Sequence, residues 1–291
     1  MKEVIVTADD FGLSEAVNDA VERAHRDGIL TAASLMVAAP AAADAVRRAR
    51  AMPALRTGLH VVVVEGPSRL PLEQIPDLVR PGRDPGKGPH FPADQLALGF
   101  RYAFNPPARR QLAAEIRAQF AAFAATGLPL DHVNAHKHMH LHPTVGRLLI
   151  EIGREYGLTA MRIPAEPADV LRRAGETVGL GARALNAWTG QLRRRARRAG
   201  ITVTDHCFGI AWSGHMTAAR LARLALCLPD GVSEIYTHPA SRRDSRLCAL
   251  MPDYEHEAEL AALTDQTVRA AFATSGARLT TFSDLVREGA T

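Results

Sequence analysis

No run of about eighteen apolar residues occurs in the 291-residue chain, which excludes an ordinary transmembrane helix. Cysteine is scarce. Cys207, Cys227 and Cys248 are too few and too scattered for a disulfide framework or a Cys-x-x-Cys metal site, and read as reduced thiols. Aromatic residues make up only 5%, whereas a nucleic-acid surface interleaves stacking aromatics with its basic residues. The arginines at 193–195 and 197–198 and the mild formal charge of +4 therefore do not point to nucleic acid. No apolar signal segment precedes the first strand-forming residues, so a cytoplasmic location is expected. No Gly-x-Gly-x-x-Gly follows any of the apolar runs, which argues against a dinucleotide-binding sheet.

What the chain does have is a regular alternation. Short β-branched runs at 3–8, 31–37, 57–63, 130–135, 159–163, 201–204, 233–237 and 278–282 read as strands. Helical spacing between them predicts helices over 14–26, 41–50, 107–125, 143–156, 180–198, 216–227 and 255–274. Ser14 suits the N-cap of the first, whose Val17, Ala20, Val21 and Ala24 share a face, and Gly28 supplies its stop. Seven or eight strands, each leading towards a helix, fit an α/β fold of the distorted (β/α) barrel type better than a doubly wound sheet. One domain over 1–291 is expected, with long excursions at 64–106 and 165–200. Loops at the C-terminal strand ends build the active sites of such barrels. The Pro- and Gly-rich segment 64–106 is therefore either part of a substrate site or a plain surface loop.

The polar residues that interrupt apolar strands fall where those strands end. Asp9 and Asp10 close the first, His60 lies in "TGLHVVV", Arg162 in "MRIP", and His238 follows "IYT". The segment "DHVNAHKHMHLHP" adds His132, His136, His138, His140 and His142. Taken singly, His60 reads as a core histidine, the Asp pair as a turn or helix cap, and His238 as a loop residue. The histidine run is different: on an extended segment His136, His138 and His140 would share a face with His132, which reads as a metal site. A hydrolytic metal needs about three protein ligands and an open position, which two histidines and one carboxylate supply. The cation would also make two adjacent carboxylates tolerable.

"TADDFG", "GLH", "HVNAHKHMHLHP" and "THPA", in this order and spacing, resemble the YdjC-like carbohydrate deacetylases, relatives of the NodB-type polysaccharide deacetylases with a distorted (β/α) barrel fold. The wording of residues 7–37 is most similar to the hopanoid-biosynthesis-associated branch, which implies removal of the acetyl group from an N-acetylglucosaminyl hopanoid lipid. The resemblance implies Asp10, His60 and His136 as metal ligands, Asp9 as general base, His238 as general acid and Arg162 as the residue that orients the base. It leaves His138, His140 and Lys137 as substrate-facing or supporting groups, with His140 open as an alternative to His136. Lys137 departs from one common form of the family's histidine stretch, and as a cation it would contact substrate rather than metal. The implied cofactor is one divalent ion, Zn²⁺ being favoured and Mg²⁺, Co²⁺, Ni²⁺ or Fe²⁺ open. A bell-shaped pH profile follows from the acid and base roles.

Three functions follow: deacetylation of a glycosylated hopanoid, the same chemistry on soluble chitooligosaccharides, and a non-catalytic carbohydrate- or lipid-binding barrel. The implied partner is an N-acetylglucosamine-bearing substrate. In "GLGARALNAWTGQLRRRARRAG", Leu185, Trp188 and Leu192 repeat at helical spacing beside the arginines. That pattern fits either peripheral contact with the inner membrane surface or a barrel helix packed into the core.

Overall fold

The computed structural model describes residues 1–82 and 88–288, with the side chains of 180–187 left aside. Among the described residues seven strands lie in one parallel sheet: β1 (Lys2–Phe11), β2 (Ala32–Leu35), β3 (Arg56–Val61), β4 (Val133–Ala135), β5 (His206–Phe208), β6 (Gly231–Thr237) and β7 (Ala277–Leu279). Their order is β4-β3-β2-β1-β6-β5, and β7 joins the lower part of β1. The central strand is thus bordered by β6 along residues 2–8, and on its other edge by β7 below and β2 above. Val4, Val6 and Ala8 of β1 pack into the main core with the helix Glu15–Asp27, as continuous apolar strands covered by helices do.

The sheet curls into a distorted barrel. Beyond β4 the curl is carried by single parallel pairings, Val133 with Met161 and Ala160 with Thr202, and by the Cys207 N–H donating to the Ala165 carbonyl at 3.0 Å, which reaches β5. The expected strands at 159–163 and 201–204 are therefore only isolated pairings. Pro164 has no N–H with which to extend the first. Inside the curl, Ile5, Ala32, Ala160, Phe282 and Leu285 form a separate apolar plug. Phe282 stacks on His132 with centroids 4.7 Å apart, so the lower end is closed by the helix Phe282–Glu288 and polar groups are left towards the upper end.

One helix expectation needs correction, and the first excursion has structure of its own. The segment 255–274 is two helices, His256–Thr264 and Gln266–Ser275, because the Asp265 side chain accepts from the Thr267 and Val268 amides at 2.6 and 3.2 Å and starts a new helix. The excursion 64–106 contains a helix, Gln95–Phe104, capped by Asp94, and its first residues join the pocket wall. The part of its Pro- and Gly-rich stretch at 83–87 lies outside the described residues.

In the helix Leu180–Arg198, Thr189, Leu192 and Ala196 are buried while Trp188 is exposed. This is the packed-helix alternative for the described part of that segment; Leu185 lies outside the described side chains. Among the described residues no helix is long and apolar enough to cross a membrane.

Candidate metal and catalytic site

Asp9 lines the pocket and Asp10 faces its His60 and His136 because β1 is irregular where they sit. The pairing of β1 with β2 shifts register between Ala8 and Phe11, and Asp10 has φ 61°, a left-handed conformation that aspartate tolerates better than most residues. Strict alternation would have sent the two carboxylates to opposite faces. Gly12 follows at φ 95°, with its amide donating to Asn18 Oδ1 at 2.8 Å, and the chain turns into the helix whose first turn Ser14 caps. A Cβ at Gly12 would lie 3.1 Å from the Ala42 backbone.

Asp10, His60 and His136 each offer a ligand atom within 4.8 Å of the others. Asp10 Oδ1 lies 3.2 Å from His136 Nδ1 and 3.4 Å from His60 Nε2, yet neither buried carboxylate oxygen has a hydrogen-bond partner. Burial alone would raise the Asp10 pKa; the two imidazoles outweigh it and hold the carboxyl well below its ordinary value. His60 is raised despite burial, by the carboxylates of Asp9 and Asp10. An unpartnered buried carboxylate facing two imidazole nitrogens fits a divalent cation with nitrogen and oxygen preference.

The expected alternation of the histidine run fails because β4 ends at Ala135. His136–Leu141 is a tight 3₁₀ turn in which Lys137 and His138 have φ 51° and 55°. The turn sends His136 to Asp10 and His138 Nε2 to the Tyr236 hydroxyl at 2.8 Å. His140 is fully buried with neither ring nitrogen partnered, and it lies outside the Asp10–His60–His136 group. Burial is the main cause that pushes His138 down to about 3, so it works as a neutral ring. Lys137 pairs with Glu65 of the first excursion, and both residues line the pocket.

Arg162 is fully buried and forks onto Asp9, donating to Oδ2 at 2.6 Å and Oδ1 at 2.9 Å. Its other edge donates to Glu234 Oε1 at 2.9 and 2.7 Å, and its guanidinium lies 4.5 Å from the Tyr236 ring centroid. Thr7 adds a hydroxyl bond to Glu234 at 2.8 Å. Burial would raise Asp9, but Arg162 holds its carboxyl far below the ordinary value. His238 also lines the pocket. Its amide donates to Glu259 Oε2, its carbonyl accepts from His256 Nδ1 at 2.7 Å, and its own Nδ1 is unpartnered. Burial lowers the His238 pKa, and Asp10 and Asp9 offset only part of this.

Sequence reasoning set His132 with the metal-facing histidines and missed the chain of groups beneath the site to which it belongs. His132 Nδ1 meets Asp131 Oδ2 at 2.9 Å, His132 Nε2 meets Ser34 Oγ at 2.9 Å, Ser34 meets the Asn134 amide at 2.9 Å, and Asn134 reaches His60 Nδ1 at 2.6 Å. With Asp131 ionised, one arrangement of donors satisfies every member of this chain. His132 gives its Nδ1–H to Asp131, Ser34 gives its hydroxyl to His132, Asn134 gives its N–H to Ser34, and Asn134 Oδ1 accepts from His60 Nδ1–H. His60 Nε2 is then left with a lone pair facing Asp10. With the amide turned, Asn134 would donate to His60 Nδ1 and accept from Arg162 at 3.0 and 3.1 Å. The signal for Asn134 was its phase, alternate with His132 and His136. For Glu234 it was an acid inside the apolar strand "SEIYT".

Comparison with known proteins places the chain. A carbohydrate deacetylase of Geobacillus stearothermophilus is 29% identical over 285 residues, covering 97% of this chain and 98% of its own. One from Mus musculus is 32% identical over 315 aligned positions, covering 97% and 94%. A crystal structure from Enterococcus faecalis, described as a candidate cellobiose-phosphate cleavage protein, superposes with a TM-score of 0.73 at 23% identity over 98% of both chains, a likeness of fold. Residues 3–274 match the family described as YdjC-like protein, and the chain belongs to that family.

Proposed function

We propose that the chain is a carbohydrate deacetylase that hydrolyses the N-acetyl group of an amino sugar, working as one unit over residues 1–291. The observation that carries this is the pair of adjacent carboxylates with divided surroundings: Asp10 faces two imidazoles, and Asp9 is gripped by Arg162. The deacetylase names of relatives that span nearly the whole chain support it. Asp10, His60 and His136 would hold a divalent ion, with Zn²⁺ favoured by the donor set and Mg²⁺, Co²⁺, Ni²⁺ or Fe²⁺ as the other candidates. Such an ion, when bound, polarises a carbonyl and acidifies water.

Asp9 takes the proton of the attacking water, and Arg162 fixes the orientation of its carboxylate. His238, facing the same pocket, delivers a proton to the leaving amine, and Lys137 with Glu65 meets the sugar at the rim. His138 and His140 support the site through Tyr236 and the turn. For the finer substrate we favour an N-acetylglucosaminyl hopanoid lipid, met by a cytoplasmic enzyme at the inner membrane surface, on the resemblance of residues 7–37 to that branch. Chitooligosaccharides are the second reading.

Acetate release from both substrates, measured by mass spectrometry with metal-loaded protein, separates them. Turnover of chitobiose without turnover of the glycolipid removes the lipid reading, and release from neither removes the deacetylase. Asp9→Asn is expected to abolish turnover with metal content retained, and His60→Ala to lose the metal by elemental analysis. His238→Ala should lower kcat by about 10²–10⁴.

A further inference from the structure

The described part of the molecule leaves one apolar helix face uncovered. Leu96, Phe100 and Phe104 are 77%, 67% and 76% exposed. Spaced at i, i+4 and i+8, they form one stripe along the helix Gln95–Phe104, and Phe100 stacks on Phe104 with centroids 6.2 Å apart. The inner face is accounted for by buried Leu98 and Tyr102, whose hydroxyl donates to the Val63 carbonyl at 2.6 Å. The stripe begins beside the pocket mouth, where Gln95 Nε2 donates to the Lys137 carbonyl at 3.0 Å.

A second helix continues this surface. Gly99 lies against His142, Trp188 Nε1 donates to the Leu141 carbonyl at 2.8 Å, and Arg195 donates to the Pro143 carbonyl at 3.1 Å. The segment 141–143 therefore joins the stripe to half-exposed Trp188 and to the crevice lined by Gln191, Arg194, Arg195 and Arg198. Residues 188–198 carry five arginines and no acid. Among the described residues Arg197 pairs with Asp205 at 3.6 Å, whereas Arg194 and Arg198 reach no carboxylate.

We infer that this surface, the stripe Leu96–Phe100–Phe104 with Trp188 and the 194–198 arginines, docks the protein on an anionic lipid bilayer with the pocket mouth at the interface. Charge complementarity selects the occupant: large apolar and aromatic side chains that enter the acyl boundary stand beside cations of one sign that meet lipid phosphates. The inference deepens the lipid-linked reading of the substrate and rests on it for its purpose. It differs from the sequence expectation in placing the apolar contact on residues 95–104.

The test is co-sedimentation of the full chain with phosphatidylglycerol–phosphatidylcholine vesicles and with pure phosphatidylcholine vesicles, at low and high salt. Binding to the anionic vesicles that weakens with salt is expected. The triple variant Leu96→Ser, Phe100→Ser, Phe104→Ser should reduce it by at least about tenfold, and Arg194→Gln with Arg198→Gln should weaken its salt dependence. Both variants should keep the wild-type melting temperature, since they alter exposed side chains. Absence of wild-type binding at low salt overturns the inference. So does a dimer, seen by light scattering, that the triple variant dissociates, because a second copy then covers the stripe. Acetate release from the glycolipid and from chitobiose, measured in parallel, keeps the two readings apart: release from neither, in wild type and variant alike, counts against the deacetylase and leaves the vesicle result standing.

Discussion

At Asn134 one amide decides which nitrogen of His60 carries a proton. Asn134 lies 2.6 Å from His60 Nδ1 in either setting of its amide, so Asn134→Ala should weaken metal binding about 10–100-fold in a chelator-competition titration while the His60 ring stays in place. Arg162 is the other residue whose neighbours depend on it: Arg162→Ala strands Asp9 and Glu234 as buried charges and should cost about 3–5 kcal/mol in denaturant unfolding. The pH dependence has a definite sign. Asp9 and Asp10 titrate below their ordinary value of 3.8 in the folded chain. Their stabilisation is therefore present above that pH and lost as pH falls through the folded-state values. In metal-free protein Asp9→Asn should flatten the fall in melting temperature between about pH 4 and pH 2. Asp9, Asp10 and His60 stood out in the sequence as polar residues where apolar strands end, and His136 as part of the histidine run, while their roles came from the family resemblance. Glu234 has the same signature, but only the folded chain reveals that its partner is Arg162.

Elements are placed by close approaches that sequence periodicity does not record. At Gly58 on β3 a Cβ would come 2.5 Å from the His132 ring, so Gly58→Ala should cost about 1–3 kcal/mol and disturb the relay to His60, measured by denaturant melts beside metal titration. The alternation argument for the histidine run was sound for a strand and failed because the strand is three residues long; left-handed Lys137 and His138 belong to the turn. The helix at 95–104 was illegible for another reason. Its sequence QLALGFRYAF is apolar on both sides, so no face stands out from the pattern until burial separates Leu98 and Tyr102 from Leu96, Phe100 and Phe104.

For the whole molecule, the barrel was legible in the repeated passage from β-branched run to helix. Its closure was not, since it depends on single pairings at Met161 and Thr202 that are too short to leave a pattern. Metal binding should couple to global stability: at about a hundredfold excess over Kd it adds about 2.7 kcal/mol. A chelator is expected to lower the melting temperature of the wild type and to leave that of His60→Ala unchanged, by calorimetry.

The central strand has a temporal consequence. β1 is translated well before the strands that complete its lower edges, β6 and β7, at residues 231–237 and 277–279. Until residues 231–237 and 277–279 are made, only β2 can border the strand bearing Asp9 and Asp10, and only at its upper end. Such distant pairing delays folding and keeps apolar strands uncovered meanwhile. The bulge that aims the two carboxylates has its β2 partner early, but the strand that carries it stays open on its other edge until β6 is made, and His238 follows β6, so the centre is complete only late in synthesis.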